Sequence, residues 1–297
     1  MTGHHPTHFT AERIARTGCT VGETPVWEPE HARVTWVDSP GAALYRVTYP
    51  DGVVERFDLP LRVGALAVHA DGGFIASTER GFARLSIVDG VVELEFGAGP
   101  DLTPGWRMND GACDRQGRFW SGSMAPDTSA PGAFGTLFSI ETSGKVLERG
   151  GRFRTQNGLA WSPDGASMYV SDSNPLDPYV LVHDYDPATG DFTNGRLFAD
   201  KVTLGGRPDG AAMDADGCYW IAASDSGRVL RMTPNGKIDA EIRIDVPNPT
   251  NICFIGNDLK TAFITTLRAG GTGPGGDVYV VDLPYQGLAE PCYNPGR

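Results

Sequence analysis

The stretch QNGLAWSPDGASMYVSDS, residues 156–173, reads as one hairpin: an apolar run, a Pro-Asp-Gly turn, and a second run that alternates. Asp-Gly between two apolar runs is the strongest short-range hairpin signal, because such turns match the twist of the flanking strands. The pattern recurs along the chain as VWEPEHARVTWVD (26–38), AVHADGGFIAST (67–78), ACDRQGRFWSGS (112–123), AMDADGCYWIAAS (212–224) and CFIGNDLKTAFITT (253–266). A third strand follows each hairpin: ALYRVTY, ARLSIV, GTLFSIE, VLVHDYD, GRVLRMT and DVYVVDL. Fourth strands follow five of them, as VVERFDL, VVELEF, KVLERGG, FTNGRLFA and KIDAEIRI. No long amphipathic helix interrupts the series.

Six units of four strands predict an all-β fold, a six-bladed β-propeller with four antiparallel strands per blade, forming one domain over residues 1–297. The sixth unit lacks an outer strand. The segment HFTAERIAR (8–16) is expected to supply it and close the ring, with residues 1–8 as a solvated tail that includes His4, His5 and His8.

Composition narrows the function. The chain has 297 residues, 40% of them hydrophobic, and carries a net charge of −12, so a phosphate backbone or an anionic lipid surface would repel it. There is no apolar run of membrane-spanning length and no secretory h-region. Its 39 Gly and 22 Pro suit a turn-rich fold. Cys19, Cys113, Cys218, Cys253 and Cys292 are odd in number and show no CxxC spacing, which predicts free thiols in a cytoplasmic protein.

Aligning the units by their first turn and stepping back seven residues reaches Glu23, Gly64, Asn109, Asn157, Asp209 and Asn251. The spacings are 41, 45, 48, 52 and 42 residues, so the shared register is not trivial. The first strand of each propeller blade lines the central channel, and these positions should form one ring at one mouth. Five of the six carry carboxylate or carboxamide oxygens beside apolar runs such as GLAW and GAAM. Asn-Gly and Asp-Gly are also ordinary turn dipeptides, so each pair alone would read as a turn. Converging side-chain oxygens instead suit one hard divalent cation. Outside the N-terminal tail only His31, His69 and His183 occur, none on the ring, which argues against a histidine-rich zinc site. His69 and His183 read as structural.

The stretches GETPVW (22–27), RMNDGACDRQGRFWSGSM (107–124), QNGLAWSPDGASMYVSDS (156–173), RPDGAAMDADGCYWIA (207–222) and PTNICFIGNDLKTAFITT (249–266) resemble the gluconolactonase/senescence marker protein (regucalcin-like) family of six-bladed propellers. The resemblance implies a sugar lactonase with one divalent metal ion (Ca, Zn, Mg, Mn or Fe(II)) held by Glu23, Asn157 and Asp209. It implies substrate contacts from Arg107 and Asn109. Where relatives carry a substrate-reaching Glu after G-[ST]-M, this chain has Ala125-Pro126-Asp127, and Asp127 is the nearest acid. The implied reaction is hydrolysis of a sugar lactone to its aldonic acid, with Asp209 as the base. Trp106 is a candidate to pack on a sugar face. The partner expected is a small-molecule lactone, with no nucleic acid or membrane, and the protein a monomer or weak homo-oligomer. Two other readings compete: hydrolysis of other lactones, esters or organophosphates, and a non-catalytic calcium-binding regulator. A scaffold of the WD40 or kelch kind finds no matching repeat.

Overall fold

The structure is a computed structural model, and it describes residues 6–296. Six sheets, antiparallel apart from one added parallel edge strand, are arranged as blades. Their innermost strands are Gly22–Glu28, Val63–Val68, Arg107–Cys113, Gln156–Trp161, Arg207–Met213 and Pro249–Ile255, numbered here as blades 1 to 6. Each innermost strand touches those of the two neighbouring blades, and blade 6 returns to blade 1, so the ring closes. The expected fourth strands form at Glu55–Asp58, Val91–Phe96, Val146–Phe153, Phe192–Ala199 and Ile238–Arg243.

Alternation puts apolar residues on both faces of every blade, and the core forms between blades. One buried cluster fills each of the six interfaces. Trp36 stacks on Tyr45 and tilts against Phe263 between blades 1 and 6, and Trp120 meets Trp161 between blades 3 and 4. Burial of such aromatics supplies most of the force holding each pair of sheets together.

The N-terminal segment closes the ring as expected and does more. Glu12–Ala15 pairs antiparallel with Val278–Asp282 and becomes the outer strand of blade 6. Just before it, Thr7–Thr10 pairs in parallel with Ile238–Arg243 and adds a fifth strand to blade 5. His8 therefore lies in a strand rather than in a solvated tail, and its Nδ1 sits 2.9 Å from the Glu241 carboxylate. His4 and His5 lie outside the described residues.

At the far mouth of the channel, the C-terminal segment crosses beneath the blades. Tyr293 packs edge-on to His69 at 5.3 Å, and the Asp71 backbone N–H donates to His69 Nδ1. Burial lowers the pKa of His69 and of His183, consistent with structural roles. All five cysteines are free thiols. No helix of the described residues is long and apolar enough to cross a membrane.

Candidate functional site

Every innermost strand breaks its pairing register at the ring position. The irregularities fall between Glu23 and Val26, Val63 and Ala65, Met108 and Gly111, Asn157 and Ala160, Pro208 and Ala211, and Pro249 and Asn251. A bulge re-aims the side chains beside it, and bulges gather next to active sites. The Asn157-Gly158 and Asp209-Gly210 dipeptides, and Asp110-Gly111, therefore lie inside strands and not in turns. Two bulges use left-handed backbone: Gly158 has φ +62°, and Thr24 has φ 44°, a strained value for a β-branched residue.

Glycine at the sixth ring position has a steric cause. A Cβ on Gly64 would sit 2.5 Å from the Asn109 carbonyl oxygen and 2.8 Å from that of Met108. Blade 3 leans onto blade 2 at this point and leaves no room for a side chain.

The mouth is a cleft whose walls include Glu23, Gly64, Arg107, Asn109, Asp110 and Asn157. Below it a second cavity continues down the channel to Glu290 and Cys292, with Asp110 bordering both spaces. Asn109 Nδ2 donates to the Gln156 carbonyl (2.8 Å) and to Asn157 Oδ1 (3.2 Å). Asn157 Nδ2 donates to Ser173 Oγ at 2.6 Å, and that hydroxyl donates on to the Pro208 carbonyl. Asn251 Nδ2 and the Thr24 backbone N–H both donate to Glu23 Oε2 at 3.2 Å. The Arg107 guanidinium donates to Asn109 Oδ1 (2.8 Å) and to the Met108 carbonyl (2.9 Å).

Burial pushes the Glu23 carboxyl up to about 8, and the negative charge of Asp110 adds to the effect. Asp209 is not among the residues lining the cleft wall, but it belongs to the same cluster. Burial, then the charges of Glu23 and Asp110, hold it well above the usual carboxylate range. Burial raises Asp110 to about 7 against the backbone N–H groups of Gly111, Gly158 and Leu159. Burial lowers Arg107 to about 10, helped by the nearby charge of Arg62.

Among the described residues no group of three or more His, Cys, Asp or Glu is arranged to hold a metal ion. The ring offers a different set, two carboxylates and the Asn157 amide. That set fits a hard divalent cation, because Glu23 and Asp209 are enclosed, repel one another, and Asp209 accepts no hydrogen bond among the described residues.

Asp127 does not join the cluster. It is exposed, and its carboxylate accepts from the backbone N–H (2.9 Å) and hydroxyl (2.6 Å) of Ser129. Trp106 sits half-buried in the loop before blade 3 and is not on the cleft wall. Asp110 is the group that sequence reasoning passed over. Strict alternation would send it away from Asn109, and only the bulge brings it to the channel.

Fold and site together define a closed propeller whose reactive groups collect at one channel mouth. Residues 21–268 match the family described as SMP-30/Gluconolactonase/LRE-like region. The chain is 34% identical over 293 residues to 6-deoxy-6-sulfogluconolactonase of Pseudomonas putida, covering 96% of this chain and 98% of that one. It is 31% identical to regucalcin of Oryctolagus cuniculus, over 87% of each. Among solved structures, a calcium-binding protein, regucalcin, from Agrobacterium tumefaciens superposes with a TM-score of 0.87 at 26% identity, covering 97% of this chain and 99% of that one. A gluconolactonase from Xanthomonas campestris shares the fold, with a TM-score of 0.74 at 20% identity, over 96% and 99% of the two chains. The chain belongs to the SMP-30/gluconolactonase/LRE-like family and is a gluconolactonase-like enzyme.

Proposed function

We propose that the protein hydrolyses a sugar lactone to the aldonic acid, with one divalent cation held by Glu23, Asn157 and Asp209. The observation that supports this reading most is the pair of enclosed, mutually repelling carboxylates on blades 1 and 5, which a divalent charge would neutralise. When bound, the ion supplies Lewis-acid polarisation of the lactone carbonyl. An all-oxygen set accepts Ca²⁺, Mg²⁺, Mn²⁺, Fe²⁺ or Zn²⁺. The regucalcin relatives make calcium the first ion to try.

Asp209 takes the proton of the attacking water, for which its oxygens are unencumbered by donors of the protein. Arg107 and Asn109, braced against each other at 2.8 Å, orient the sugar hydroxyls and the lactone oxygen. Water oxygen bonds to the carbonyl carbon, the ring C–O bond breaks, and the ring oxygen leaves as a hydroxyl. The product is the aldonate, with one proton released. The free cysteines support placing this chemistry in the reducing cytoplasm.

The test is Asp209→Asn, which keeps the size and removes the base. A positioned general base contributes roughly 10²–10⁴-fold, so kcat should fall at least a hundredfold. Retention of more than about a tenth of the rate, an effect under ~1.4 kcal/mol, would remove Asp209 from that role.

A further inference from the structure

The lower cavity reaches solvent at the end of the channel away from the ring. Its walls there come from the lower parts of the innermost strands: Trp27 on blade 1, Val68 on blade 2, Cys113 on blade 3 and Cys253 on blade 6. The C-terminal segment passes beneath them. Arg115 Nη1 holds it on one side by donating to the Ala289 carbonyl at 3.2 Å, and the Tyr293 N–H holds it on the other by donating to the Val68 carbonyl at 2.8 Å. Between these anchors Glu290, Pro291 and Cys292 line the cavity. Glu290 and Cys292 are exposed, so the cavity opens outward at this point. Most of the lining is apolar. Trp27 is half-buried, and Pro25, Pro29 and Pro291 add apolar surface to the same wall. Against this background the Glu290 carboxylate makes no ion pair or hydrogen bond among the described residues. Arg115 gives its guanidinium to the Ala289 and Trp161 carbonyls, at 3.2 and 2.8 Å, and not to Glu290. The other acid on the cavity wall, Asp110 at its upper end, is engaged by the backbone N–H groups of Gly111, Gly158 and Leu159.

From this juxtaposition we infer that the far end of the channel is a second ligand site, which takes a small organic cation: an ammonium or guanidinium group carried on an apolar or aromatic body. A concave, mostly apolar wall with one well-placed charge is the usual make-up of a small-molecule site. Glu290 supplies the counter-charge, and Trp27, the aromatic type that attracts cations best, supplies a ring for the ligand to lie against. Apolar walls lower the local dielectric and strengthen the attraction between the two charges. The net charge of −12 adds to it by raising the concentration of cations near the surface. The site does not depend on the lactonase reading. It lies at the opposite end of the channel from Glu23, Asn157 and Asp209, and no step of lactone hydrolysis uses it.

The experiment is a calorimetric titration of the intact protein, in added Ca²⁺, with benzylammonium, with neutral benzyl alcohol and with benzoate. The Ca²⁺ keeps the organic cation off the ring carboxylates. We expect saturable binding of benzylammonium, roughly tenfold tighter than either of the other two, with the preference shrinking as salt rises. Glu290→Gln should bring benzylammonium to the level of benzyl alcohol. Trp27→Leu should weaken benzylammonium binding, and Glu23→Gln should leave it unchanged. Benzylammonium that binds no tighter than benzyl alcohol overturns the site. So does a preference that survives Glu290→Gln, and a preference lost in Glu23→Gln would place the cation at the ring instead. Trp27 is partly in the core, so if Trp27→Leu does not fold, the variant at the exposed Glu290 decides alone.

Discussion

Replacing Gly64 by alanine probes how the ring is built, because the obvious expectation is the wrong one. Five ring positions carry polar side chains, so a larger residue at the sixth would look harmless or even helpful. The structure says otherwise. The added Cβ would lie 2.5 Å from the Asn109 carbonyl oxygen and 2.8 Å from that of Met108, against an ordinary contact that begins at 3.4 Å. Shortfalls of about 0.9 and 0.6 Å must be absorbed, and both obstructing atoms are backbone. Overpacking of this kind costs about 1–3 kcal/mol, and the rigidity of the obstruction favours the upper half of that range. The strand that has to yield carries Arg107 and Asn109, and misplacing a binding group by about 1 Å costs on the order of a hundredfold in rate. Gly64→Ala should therefore lower the urea midpoint and also cut kcat/KM on a lactone far more than its lost stability explains at assay temperature. The midpoint from chemical denaturation and the rate from a pH-stat give the two numbers. A variant with wild-type midpoint and wild-type kcat/KM would refute the close approach of blades 2 and 3.

A further prediction concerns the packing that holds the ring in place. Tyr219→Phe removes the hydroxyl that donates to the Gly158 carbonyl at 2.7 Å and braces the blade 4 bulge. It should cost about 1 kcal/mol in the denaturation midpoint and loosen Asn157, seen as weaker metal affinity by titration.

Much of this architecture was legible in the chain because propeller blades announce themselves locally. Asp-Gly turns at fixed offsets and alternating strands gave the blade count, and the shared register gave Glu23, Asn157 and Asp209 as neighbours in space. What escaped was set by tertiary context. The strand Thr7–Thr10 has no partner in its own neighbourhood and acquires one only where blade 5 offers a free edge. Asp110 reaches the channel through a bulge, which alternation rules do not foresee. Asp127 is the acid nearest the position where the family resemblance implies a substrate-reaching Glu, yet a local turn with Ser129 holds it in solvent.

The most direct test of the account is proton release from sugar lactones in a pH-stat, run on the protein as purified, after chelation, and after restoring each divalent metal, with spontaneous hydrolysis subtracted. The account predicts that chelation abolishes turnover, that Ca²⁺ or one of the other hard or borderline divalent ions restores it, and that Glu23→Gln cannot be restored. Full activity in the chelated protein would contradict a divalent ion held by Glu23, Asn157 and Asp209.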